Sequence, residues 1–179
     1  SDIKRLSKDF YNYSPILTEK LDGCIADLVV RPGDHNAVKK VAEICWKFNV
    51  PLTLRGSGTG NYGQAVPLFK GVVMQMSRFN DLEDFDPDTG FVKVQSGCLM
   101  GDLNKQLEKY GRELRLLPST WKTATIGGFI AGGSGGIGSV RWGFLRDPGN
   151  LLGLEAVTIN EKPELLKFDA IESEPLNHA

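Results

Sequence analysis

The sequence has few of the residues that build metal and redox centres. It carries two histidines, His35 and His178, and three widely spaced cysteines, Cys24, Cys45 and Cys98. None of these has the spacing of a zinc or haem site, so no metal is expected. The cysteines make neither a CxxC pair nor an even set, which argues against a disulfide framework and for reduced thiols in a cytoplasmic protein. Charge of one sign is also lacking. The formal net charge is -1, where a nucleic-acid binder carries a basic excess, so no nucleic-acid partner is expected. No apolar run is long enough to cross a bilayer. Ser1-Asp2-Ile3-Lys4-Arg5 leads into no apolar stretch, so no signal peptide is expected.

What is present in excess is glycine, 21 of 179 residues against the ~7% of ordinary chains. The excess is clustered. Gly56, Gly58, Gly60 and Gly63 form one group; Gly127, Gly128, Gly132, Gly133, Gly135, Gly136 and Gly138 form a second. In a chain of normal apolar content such clusters mark backbone that approaches something closely, rather than disorder.

Residues 2–13 read as a helix ending near Ser14-Pro15, since proline disfavours helix at the residue before it. Leu28-Val29-Val30 reads as a strand closed by Arg31-Pro32-Gly33. Asp34 then caps a helix from about His35 to Phe48, with Val38, Val41, Ala42, Cys45 and Phe48 on its apolar face. Asn49 stops that helix, and a strand follows at Pro51 to Leu54, completing a βαβ unit. Further strands are expected at 71–76 and in a hairpin, 82–85 and 91–95, turning at Asp86 to Gly90. A helix at 100–110 has Gly111 as its C-cap. An extended run at 114–117, a helix at 124–131 and paired strands at 151–159 and 165–168 follow; residues 171–179 carry no clear pattern. One βαβ unit beside several hairpins predicts an α+β fold of two small lobes, not a doubly wound sheet.

Gly58-Thr59-Gly60-Asn61-Tyr62-Gly63 matches GxGxxG and follows a strand. A dinucleotide-binding fingerprint of that kind needs a helix starting at the glycines. Here Gln64-Ala65-Val66-Pro67 follows, and the proline blocks one. The second GxGxxG, Gly133 to Gly138, follows a helix instead of a strand. No GxxxxGK[ST] is present, which excludes an ATP-binding P-loop. What remains at 55–60 is a run of backbone N–H groups that no helix or sheet uses. It reads either as an anion-binding nest, with Ser57 and Thr59 as hydroxyl donors and Arg55 as counter-charge, or as a flexible turn with Arg55 solvated. The segment Pro118 to Ser139 tips the balance to the nest: it offers more hydroxyls ahead of a helix start and more free N–H groups beyond it. Tight helix–sheet packing accounts for Gly127 and Gly128 but not for Gly132 to Gly138.

These residues resemble the FAD-binding domain of the vanillyl-alcohol oxidase or PCMH-type flavoproteins, in the branch of glycolate oxidase and D-lactate dehydrogenase. The likeness rests on Val30-Arg31-Pro32, on Pro51-x-x-x-Arg55-Gly56-x-Gly58-Thr59 running on to Gly63-Gln64-Ala65-Val66-Pro67, on Pro118 with Thr125-Ile126-Gly127-Gly128, on Trp142-Gly143, and on Leu152-Gly153-Leu154-Glu155-x-Val157. It spans about Ala26 to Asn160, with the motifs in the family's order.

The resemblance implies a lead-in at 1–25 and an FAD-binding domain at 26–179. That domain would have a small parallel-sheet lobe at 26–80, a larger mixed-sheet lobe at 81–179, and FAD extended between them. The loop Arg55, Gly56, Ser57, Gly58, Thr59 and Gly60 would wrap the pyrophosphate. Pro118, Ser119, Thr125, Gly127 and Gly128 would approach from the other side, and Gly136, Ser139 and Val157 would lie along the rest of the cofactor. Some members tether FAD through a histidine in the first loop or a cysteine ahead of the Thr-x-Gly-Gly; neither is present, so non-covalent FAD is expected. Gly133 stands where many relatives have asparagine, and Trp142 where tyrosine is usual.

The implied activity is hydride transfer from a small 2-hydroxy acid, glycolate or D-lactate, to flavin. Alternatives are an FAD-linked alcohol oxidase or ether-lipid synthase on the same fold, or a nucleotide-binding module without catalysis. Relatives continue into a substrate-binding cap that carries most of their acid–base groups, so this chain reads as a fragment that holds FAD weakly or not at all, and no catalytic residue is assigned. A partner subunit accepting electrons is also compatible with the resemblance.

Overall fold

The computed structural model describes residues 2–133 and 135–169. The fold is α+β, with three separate sheets among the described residues. β1 (Leu28–Val30), β2 (Leu52–Arg55) and β3 (Val72–Gln75) form a parallel sheet in the order β1-β3-β2. The expected βαβ unit is present, with α3 (His35–Lys47) between β1 and β2. Its strands are not neighbours, because β3 inserts between them. β3 carries the most continuous apolar run, and Val73 and Met74 are buried at the centre, as a strand covered on both faces requires.

α3 starts where expected: Asp34 accepts the Ala37 N–H at 2.8 Å, filling one of the orphan donors of the first turn. Val38, Ala42 and Cys45 are buried, whereas Phe48 lies outside the helix and is exposed.

In place of the one helix expected over 2–13 there are α1 (Asp2–Leu6), a 3-10 turn at Tyr11–Tyr13, and α2 (Pro15–Leu21). The break has a local cause. The Asp9 carboxylate accepts the Tyr11 N–H at 2.9 Å, an Asx-type bond that competes with the helical ladder. Ser14-Pro15, read as a helix stop, is instead a helix start. Ser14 Oγ accepts the Leu17 N–H and Pro15 occupies the first turn, where its missing N–H costs nothing.

The remaining strands pair as two antiparallel hairpins, not as one mixed sheet. β4 (Leu82–Phe85) pairs with β5 (Val92–Val94), and β6 (Gly153–Val157) with β7 (Leu165–Asp169). α4 (Met100–Leu107) is the central pillar of this half. Leu103, Leu107 and Cys98 pack against Leu82, Phe85, Val92 and Val94 of the first hairpin. Met100 joins a second cluster with Leu116, Ala124 and Phe129. α5 (Ile126–Gly132) ends on Gly133 in the left-handed region at φ 62°, and α6 (Ser139–Trp142) is a single turn. Among the described residues no helix is long and apolar enough to cross a membrane.

Glu155 on β6 fastens this hairpin to the rest. Its carboxylate lies 3.3 Å from Lys93 and Lys167 and 3.5 Å from His35. Burial opposes its charge, yet Lys167 and Lys93 hold its carboxyl below the ordinary range.

Candidate functional site

Parallel strands end on the same edge of a sheet, and ligands of such sheets gather at that carboxyl edge. Here the edge collects Arg31 after β1, the glycine loop after β2, and Gln75 and Ser77 at the end of β3. A cleft of about 400 Å³ opens there, lined by Ser57, Gln75, Ser77, Asn80, Asp102, Gln106 and Thr125 among others. The lining suits phosphate and sugar hydroxyls better than a hydrocarbon.

The two glycine segments, distant in sequence, meet at this cleft. A Cβ on Gly56 would fall 2.1 Å from Thr125 Oγ1, so only glycine allows the contact. Thr125 is buried and caps α5, its Oγ1 accepting the Gly128 N–H at 3.2 Å. No helix follows the first loop, in keeping with its sequence. Among the described residues the backbone N–H groups of 56–60 have no intramolecular acceptor. They form a half-buried run of free donors.

Arg55 does not lie where a solvated counter-charge would. Its side chain is 6% exposed and sits beneath the loop, with a Cβ on Gly58 placed 2.1 to 2.5 Å from its guanidinium nitrogens and carbon. Gly58 has φ +74°, so conformation and space both require glycine. Arg55 Nη2 donates to Ser57 O at 3.2 Å, while Nε and Nη1 have no partner. Burial draws the guanidinium pKa down, but arginine stays charged at neutral pH. A buried, part-unpartnered cation under free N–H donors fits a diphosphate on the far side of the loop.

The second segment divides. The Gly127 N–H donates to Ser96 O at 2.8 Å, and the Gly128 N–H is taken by Thr125. Neither is free for a phosphate. Gly127 instead allows close packing, since a Cβ there would lie 2.6 Å from Ser96 Cβ. Gly136 is pinned to the 114–118 run: Leu117 and Ile137 exchange backbone hydrogen bonds, and Gly136 at φ +78° leaves no room for a Cβ beside Leu117 O. Ser139 Oγ donates to Gly136 O at 2.9 Å, and Ser119 is exposed beside the half-buried Pro118. Val157 lies on the β6–β7 hairpin and is not among the residues lining the cleft. Arg115 and Arg141 stack on Trp142 at 4.8 and 4.7 Å, while Arg31 bonds Gln75 at 3.1 Å.

Gln75, Ser77, Asn80, Asp102 and Gln106 were not singled out from the sequence. For Gln75 and Ser77 a signal existed, as polar residues closing an apolar parallel strand. For Asp102 and Gln106 none did, because α4 reaches the cleft only through tertiary packing.

Residues 26–164 match the family described as FAD binding domain. The chain is 32% identical over 146 residues to "Glycolate oxidase subunit GlcD" of Escherichia coli strain K12, covering 82% of this chain and 29% of that protein. It is 33% identical over 121 residues to "D-lactate dehydrogenase" of Anaerostipes hadrus, covering 68% and 25%. A solved structure of alkyldihydroxyacetonephosphate synthase superposes with a TM-score of 0.70 at 27% identity, covering 82% of this chain and 29% of the other. The chain thus spans under a third of the length of these relatives, and within that span it belongs to the FAD binding domain family.

Proposed function

We propose that the domain beginning at residue 26 holds FAD without a covalent link, between lobes divided near residue 80. In this reading the whole protein oxidises a small 2-hydroxy acid such as glycolate or D-lactate. The observation that carries the cofactor reading is the buried Arg55 guanidinium, with two nitrogens unpartnered, beneath the free N–H groups of 56–60. Those groups bind the diphosphate. Thr125 fixes the loop from the opposite side through Gly56. Gln75, Ser77 and Asp102 offer hydrogen-bonding partners to the nucleotide within the cleft. Pro118 and Ser119 approach the diphosphate from the other side, and Gly136, Ser139 and Val157 are assigned to the remaining length of the cofactor. Gly127 and Gly128 serve it indirectly, by packing and capping α5. When bound, FAD supplies the hydride acceptor; this chain supplies position and a bed of free backbone N–H donors over a buried cation.

The 2-hydroxy acid is supported by the named relatives, glycolate oxidase subunit GlcD and D-lactate dehydrogenase. The word subunit in the first also supports a partner that takes the electrons. The likeness to alkyldihydroxyacetonephosphate synthase favours ether-lipid chemistry as the second reading. The three unpaired thiols suit a reducing compartment, and we assign the protein to the cytoplasm on that ground.

Titrating the purified chain with FAD, followed by flavin absorbance and fluorescence, is expected to give saturable binding of one FAD per chain, in the micromolar range as an order-of-magnitude expectation. Acid precipitation should release all of the flavin. Binding of ATP or NAD with no response to FAD refutes the cofactor reading; flavin retained by the precipitate refutes the non-covalent one. Anaerobic bleaching of the flavin in the full-length protein by glycolate or D-lactate, and not by a long-chain alcohol, decides the substrate.

A further inference from the structure

The family match begins at residue 26, yet the loop at 55–60 is built partly on residues that precede it. The Phe10 N–H donates to Gly60 O at 2.8 Å. Leu21 Cδ1 fills the space where a Cβ on Gly63 would sit, at 2.7 Å. Ser7, fully buried, accepts the Ala26 N–H at 3.0 Å and donates to Ile3 O at 2.8 Å, tying the lead-in to the start of the sheet. Beside these contacts lie two buried charges. Asp9 is 7% exposed; its Oδ1 accepts the Tyr11 N–H and its Oδ2 has no partner. Arg55 is equally buried, with Nε and Nη1 unpartnered.

A buried ion without an opposite charge nearby is costly. The Phe10–Gly60 bond brings Asp9, the residue before Phe10, to the loop whose Gly58 packs on the Arg55 guanidinium; there burial lowers the guanidinium pKa, Asp9 raises it and Arg5 lowers it. Asp9 Oδ2 and Arg55 Nε and Nη1 all lack a partner, so Asp9 compensates the guanidinium without consuming its N–H groups.

We propose that Asp9 is a positioning residue of the anion site: it acts through Arg55 as the standing counter-charge that keeps the guanidinium buried under the loop before an anion arrives. This rests on the reading of 55–60 as the diphosphate loop. The bound diphosphate and Asp9 then share one cation from opposite sides, and the negative charge of Asp9 sets how tightly the loop takes its anion. The lead-in is thereby part of the cofactor site and not merely a connection to it.

The test is a cycle of Asp9→Asn, Arg55→Met and the double variant in the full chain, read by titration with inorganic pyrophosphate and with FAD, and by thermal unfolding without ligand. Asn keeps an oxygen for the Tyr11 N–H and removes only the charge. Asp9→Asn is expected to lower the midpoint of unfolding of the free protein and to tighten pyrophosphate and FAD binding about threefold to tenfold. In the Arg55→Met background the tightening should vanish and the loss of stability should be absent or reversed, since Asp9 is then itself a buried charge without a counter-ion. Affinity in Asp9→Asn that is unchanged or weaker, or a tightening that persists without Arg55, overturns the role of Asp9 while leaving the loop reading intact. A wild-type chain that binds neither pyrophosphate nor FAD overturns both.

Discussion

Adding one methyl group at Gly56 tests whether the two glycine segments meet as described. Its Cβ would lie 2.1 Å from Thr125 Oγ1, 3.3 Å from Thr125 Cβ and 3.4 Å from Cγ2. Neither partner has free room, because Thr125 is 4% exposed and its hydroxyl caps α5. Overpacking of this kind costs about 1–3 kcal/mol. Thr125→Ala removes the cap at about 1 kcal/mol, but it also removes the atom with which the new methyl collides. The double variant Gly56→Ala/Thr125→Ala should therefore cost about 1–2 kcal/mol, against roughly 2–4 if the sites were independent. Guanidinium chloride unfolding followed by far-UV circular dichroism gives each value, provided the slope is shared by all variants. The same loss of additivity should appear in FAD affinity. Strict additivity would mean that Gly56 and Thr125 are not in contact, and the joining of the two segments would fall with it.

Gly58→Ala combines a left-handed φ of +74° with a clash against the Arg55 guanidinium; it should cost roughly 2 kcal/mol or more and weaken FAD binding by at least about tenfold. Gly33→Ala is the matched control, with nothing within 4 Å of its Cβ, and should stay within about 0.5 kcal/mol of wild type in the same unfolding assay. Glu155 yields a pH prediction. Its folded pKa is lowered by Lys167 and Lys93 against burial, so its stabilisation is present above the ordinary carboxyl range of about 4.3 and is lost as pH falls through the folded value. Glu155→Gln should be less stable than wild type at pH 7 by no more than about 1 kcal/mol, the pairs being partly solvated. The difference should close as pH falls below the folded value, and a gap that persists in acid, in urea unfolding, would remove Glu155 as the electrostatic tie.

Sequence by itself determined the local features, because each depends on residues close in the chain. Asp34 and Gly111 mark helix ends by capping chemistry that a few neighbouring residues complete. Val66-Pro67 forbids a helix behind the first glycine loop, which is why its GxGxxG match misleads and the Arg55-Gly56-Ser57-Gly58-Thr59 order does not. Tertiary structure decided what depends on through-space neighbours. Apolar content placed β3 between β1 and β2, a choice that chain order does not express. Asp9 broke the expected N-terminal helix by capturing the Tyr11 N–H, and Phe10 next to it came to bond Gly60 of a loop far along the chain. Packing accounts for Gly127 and Gly128 in the sequence, but only the fold shows that their N–H groups go to Ser96 and Thr125. Arg55, either a counter-charge or a solvated side chain by its sequence, lies buried underneath the loop, because only folding shows which side of a glycine turn a long side chain takes.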